Sequence, residues 1–149
     1  PANKKLINSL FTFFTQADVD VCCGYAKHYL PTFKQPEVRM MLAAFASMEA
    51  VHQEAYSLLL ETLGFDDNVY TDFMKHKAML DKHEYLSNFG MGTPMDIAKT
   101  MAIYSGFTEG VQLFSSFAIL LNFPRHNLMK GMVRLLHGVC EMKHFMFKE

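Results

Sequence analysis

Glu49 and His52 stand three residues apart in the run Met48-Glu49-Ala50-Val51-His52. On a helix that spacing puts a carboxylate and an imidazole on one face, so both can reach a single metal ion. Taken alone, the pattern fits a surface Glu and a half-buried His equally well. Its setting argues for burial, because Phe45, Ala46, Met48 and Val51 surround it. A carboxylate there costs on the order of several kcal/mol unless a cation compensates. Two more acids lie in similarly apolar runs. Asp18 falls in residues 13–19, with Asp20 beside it as a rival for the inward position, and Glu109 is the only charge between Lys99 and Arg125. One carboxylate from each of two helices, plus Glu-x-x-His from each of two others, is the di-metal pattern of a helical bundle. Carboxylates with imidazoles suit iron or manganese.

The elements that must carry these residues read as long amphipathic helices joined by short connectors. The pattern predicts a helix from about Lys5 to Tyr29, ending near Pro31, and a second from Pro36 to about Gly64. A third, more polar helix spans Val69 to Asn88. Thr93-Pro94-Met95-Asp96 then supplies an N-cap, a proline at the first helical position and an acid in the first turn. The fourth helix runs to about Leu121 and a fifth from about His126 to the end. Strand signals are nearly absent and no linker interrupts the sequence, so residues 1–149 read as one all-α bundle.

The bulk properties narrow the field. The chain has 149 residues, half of them apolar and 19% charged, with a net charge of −1. Nothing in that balance favours nucleic acid or an anionic membrane as a partner. No apolar stretch reaches the roughly 20 residues of a membrane span. Cys22, Cys23 and Cys140 form no disulfide framework, which points to free thiols in a reducing compartment and so to the cytoplasm. Most of the twelve Met and fourteen Phe residues are read as core filler.

Four stretches carry a resemblance: residues 13–21 (Phe-Phe-Thr-Gln-Ala-Asp-Val-Asp-Val), 36–42, 46–56 (Ala-Ser-Met-Glu-Ala-Val-His-Gln-Glu-Ala-Tyr) and 123–132. Together the sequence resembles the small subunit of class I ribonucleotide reductase, in a shortened form. The ligand order fits as well, with 31 positions from Asp18 to Glu49 and 60 from Glu49 to Glu109. The resemblance implies a ferritin-like bundle of long antiparallel helices. It implies two iron and/or manganese ions held by Asp18, Glu49, His52 and Glu109, and a stable radical on Tyr56, one turn beyond His52. Leu113 and Phe117 would help line the apolar pocket shielding that radical. A homodimer and a separate large catalytic subunit are the partners it implies.

The last helix departs from the family. It should carry a second Glu-x-x-His, at positions 143 and 146, which here hold Lys143 and Met146. Glu141 and His144 have the right spacing but stand two positions early, about 200° of helix rotation away. A one-base loss after Met132 accounts for this. Read one base out of register, the back-translated codons of Cys140 to Phe147 give Arg, Asp or Asn, then a forced Glu at position 143, and His or Tyr at position 146. The family's Trp residues and its C-terminal docking segment are also missing, so the protein is expected to be an inactive relative with an incomplete metal site. Two other readings stand beside this one. One is a different ferritin-like di-metal oxidase that uses Glu141 and His144. The other is a metal-free bundle in which His52 is an ordinary core histidine.

Overall fold

The computed structural model describes residues 2–146, except that the side chains of 2, 133, 135, 140 and 142–146 are left undescribed. Among the described residues there is no strand. Helix α1 (Ala2–Gly24) winds without a break into a π-helical turn (Tyr25–Tyr29) and a last α turn (Leu30–Thr32). Pro31 sits inside that last turn, so the rod ends just past the expected stop, where Phe33 turns extended. Helix α2 (Pro36–Thr62) opens on proline and closes on Gly64, whose φ of 65° is left-handed. The Phe65 amide donates to the Leu60 carbonyl and that of Gly64 to Glu61, the paired bonds of a Schellman motif.

The expected third helix is shorter than its sequence suggests. Two 3₁₀ turns, Asp67–Tyr70 and Asp72–Lys75, take up its first part, and α3 covers Lys77–Asn88. Asp66 starts the first of these turns by accepting from the Asn68 amide. Such local side-chain bonding competes with an α turn. Helix α4 (Pro94–Met101) begins with the expected cap: Thr93 and Asp96 form a reciprocal capping box. The backbone then continues as a π-helix over Ala102–Leu113 and as α5 over Phe114–Leu120. A 3₁₀ turn at Phe123–His126 leads to α6 (Lys130–Met146).

Ring contacts fix the directions. Phe14 stacks on Tyr56 and Tyr25 packs on Phe45, so α1 and α2 run antiparallel. Phe14 also stacks on Phe117 while Tyr29 meets Tyr104 edge-on, so the α4–α5 rod is antiparallel to α1 as well. Two apolar clusters result. One joins Phe11, Phe14, Tyr56, Leu113, Phe117 and Leu136, and the other joins Val21, Tyr25, Tyr29, Leu42, Leu86 and Tyr104. Among the described residues no helix is long and apolar enough to cross a membrane.

Gly24 lets two rods approach. A Cβ there would lie 2.6 Å from Tyr104 Cζ and closer still to its hydroxyl. Gly24→Ala is expected to lower stability by about 1–3 kcal/mol, the cost of overpacking a filled core. Adding Tyr104→Phe should recover part of that loss. Denaturant melts of the two variants check both statements.

Candidate metal centre

The two clusters meet at a polar belt, and each rod contributes to it. Asp18 lies between Phe14 and Val21 on α1, Glu49 and His52 between Leu42 and Tyr56 on α2, and Glu109 between Tyr104 and Leu113 on the π-helical segment. All four are buried, Asp18, Glu49 and His52 completely so. One ligand atom from each of Asp18, Glu49 and His52 falls within 4.8 Å of the others. His52 Nδ1 is 2.9 Å from Glu49 Oε2 and 3.8 Å from Asp18 Oδ2. With Glu49 ionised, the contact is a hydrogen bond in which Nδ1–H donates to the carboxylate. Nε2 is buried with no hydrogen-bond partner among the described residues. Two buried carboxylates converging on one imidazole nitrogen fit a cation, which would replace that proton and satisfy both acids.

Glu109 lies outside the 4.8 Å group. Its charge, together with that of Glu49, nonetheless acts on Tyr25, and with that of Asp18 it acts on Lys82. The π winding sets its direction. In a ladder of i→i+5 bonds, residues five apart line up, and the buried pairs Tyr104/Glu109 and Thr108/Leu113 have that spacing. Under α winding, five residues differ by about 140° of rotation.

Several neighbours other than Asp20 escaped the sequence reading. Asp20, the expected rival of Asp18, is also buried, but it faces away to α3. It accepts from Gln16 at 2.7 Å and pairs with His83 at 2.6 Å. Gln53 donates to the Asp18 carbonyl at 3.2 Å, fixing α1 against α2 beside the ligands. Lys82 lies over the Phe13 ring and donates to Gln112 at 2.7 Å. Burial pushes its ammonium below the usual lysine range, and the charges of Asp20, Glu109 and Asp18 oppose that shift. Cys22 donates to the Ala46 carbonyl, and burial, then Cys23, Glu49 and Asp18, raise its thiol above the ordinary value. The Gln16 and Gln53 positions, one turn from an acid at helical spacing, were the available signal.

Tyr56 is fully buried one turn beyond His52. Its ring stacks on Phe14 at 5.4 Å, with Phe11 at 6.5 Å, and Leu113 and Phe117 belong to the same cluster. The last helix does not turn its acid inward. Glu141 is exposed and pairs with His137 on α6's own surface at 3.3 Å, while the side chain of His144 lies outside the described residues.

Comparison with known proteins adds a lineage to this geometry. Residues 1–140 match the family model described as ribonucleotide reductase, small chain. The sequence is 47% identical to the probable ribonucleoside-diphosphate reductase small subunit of Invertebrate iridescent virus 3, across 91% of its own length and 40% of that protein. Identity to the corresponding protein of Invertebrate iridescent virus 6 is 46%, across 89% and 41%. To a ribonucleoside-diphosphate reductase small chain of Arabidopsis thaliana it is 26%, across 88% and 39%. The chain thus spans about two fifths of the length of these relatives. No solved structure matches. With the family model covering nearly the whole sequence, this protein belongs to the ribonucleotide reductase small-chain family, whose fold is the ferritin-like helical one.

Proposed function

We propose that this protein carries the radical-generating core of a class I ribonucleoside-diphosphate reductase, with Asp18, Glu49, His52 and Glu109 as metal ligands and Tyr56 as the residue oxidised. The observation that carries the reading is the fully buried Asp18–Glu49–His52 group, one helical turn from a fully buried tyrosine. Bound iron or manganese would supply one-electron oxidation driven by oxygen or a reduced oxygen species. The protein's own residues do the rest. Asp18 and Glu49 provide negative charge, and His52 gives up its Nδ1 proton on binding. Phe11, Phe14, Leu113 and Phe117 keep water from Tyr56. The partners in this reading are a second copy in a homodimer and a large subunit that takes up the oxidising equivalent. The compartment is the cytoplasm.

The second ligand set is the weak side of the site. Glu141 points to solvent, which speaks against the oxidase reading in which it and His144 are ligands. The buried acids speak against the metal-free bundle. Among the described side chains no second Glu-x-x-His reaches the belt, and we propose an open metal site and no nucleotide reduction for this form of the protein, with a lost base after Met132 as the origin. Sequencing the encoding DNA against sibling genes tests that origin, and an intact, shared run of codons rejects it.

Elemental analysis after growth with iron and manganese is expected to give fewer than two metals per molecule. Two per molecule would mean that the last helix closes the site. Glu49→Ala should weaken metal binding on the order of 100-fold, since even outer-shell partners are worth about 10–100-fold. Where aerobic ferrous loading of the unaltered protein gives a stable tyrosyl signal in electron paramagnetic resonance, Tyr56→Phe should lose it. Its melt should shift by less than about 1 kcal/mol, because only a hydroxyl is removed. An unchanged signal would remove Tyr56 from its role.

A further inference from the structure

An apolar hollow of about 310 Å³ opens between the first rod, α2 and the α4–α5 rod, on the side of the polar belt opposite Tyr56. Five aromatic rings wall it: Tyr25, Tyr29 and Phe33 from the first rod and its end, Phe45 from α2, and Tyr104 from the π-helical segment. Tyr29 and Phe33 stack at 6.4 Å with their planes 18° apart, and Tyr104 meets Tyr29 edge-on at 5.7 Å. Met41 and Met101, 46% and 50% exposed, form the rim. Among the described residues no Asp, Glu, Lys, Arg or His lines it. The cavity beside Lys4 and Asp72 and the one beside Asp20 and Lys82 have charged walls by contrast. Arg39, next to Val38, gives its guanidinium to the Leu30 and Phe33 carbonyls and does not line the hollow.

These walls select an occupant. An ion entering would shed its water with no opposite charge to meet it, which is costly. An anion is also repelled, because the carboxylates of Glu109 and Glu49 act on Tyr25 and that of Asp20 acts on Tyr104. A protein partner covers a patch of roughly 800 Å² on each side, whereas this is a notch between rods. Its volume falls at the lower end of the roughly 300–1,000 Å³ of small-molecule sites. Ring walls reward a flat ring, through offset-stacked or edge-on contact. Unbranched methionines at the mouth adjust to the shape of a guest. We infer that this hollow is a binding site for a neutral aromatic small molecule, about the size of a fused pair of rings, which passes the rim methionines and packs on the tyrosine and phenylalanine walls. The inference goes beyond the metal reading and does not depend on it.

The test uses the whole protein without added metal, near neutral pH. Three probes share one ring system: 2-naphthol, which is neutral, 2-naphthoate, an anion, and 2-naphthylmethylammonium, a cation. Titration calorimetry is expected to show one 2-naphthol per molecule, with a Kd on the order of 100 µM for a ligand this small. Both ions should bind at least about 10-fold more weakly. Carbon-13 at the methionine methyls reports the place of binding. The signals of Met41 and Met101 should move with 2-naphthol, and that of Met74, half-exposed and outside the hollow, should stay. Met41→Leu, Met101→Leu and Met74→Leu identify the three signals and preserve side-chain volume. Movement at Met41 and Met101 together with the preference for the neutral probe supports the site. No binding, equal binding of the ions, or an equal shift at Met74 overturns it. Should the Met41 and Met101 signals move with protein concentration alone, a second copy covers the hollow and the small-molecule site is rejected.

Discussion

Everything in this structure answers to the cost of burying Asp18, Glu49, His52 and Glu109 between apolar clusters. The belt is closed to solvent, and an ionised carboxylate taken out of water is among the most expensive things a core can hold. The protein offsets part of that cost internally. His52 donates to Glu49, and Lys82 brings a cation from α3 into the electrostatic reach of Asp18 and Glu109. In the function proposed above a bound cation would supply the remaining compensation, and the three rods position the donors.

That demand also explains the two-sided core. A belt of acids divides the apolar interior into a side around Tyr56, packed by Phe11 and Phe14, and a side where Tyr25, Tyr29 and Tyr104 pack with Phe33, Phe45 and Phe89.

The sequence revealed most of the architecture through periodicity and caps. Pro36, Gly64 and the Thr93–Asp96 box mark helix ends by local chemistry, and that chemistry holds in the fold. It revealed less where local bonding overrides the apolar pattern, as at the 3₁₀ turns over Asp67–Lys75. Asp18, Glu49 and His52 were recognisable because an acid in an apolar helix is conspicuous. Which of Asp18 and Asp20 turned toward His52 was not readable, since it depends on the contact of His83 with α1 across 63 positions of sequence. The π winding around Glu109 was also hidden, because the same residues read as an ordinary α-helix.

That π segment has a mechanical consequence. An i→i+5 ladder fits more residues into each turn than an i→i+4 ladder does, so it stores backbone length inside a rod whose ends are fixed. Moving one such turn along the rod rotates the residues it passes relative to the rest, by up to about 100° for a single residue. The capping box at Thr93 and the packing of α5 need not shift. The helix that holds Glu109 is therefore adjustable as well as supportive: it can re-aim one carboxylate within the belt while the bundle around it keeps its shape.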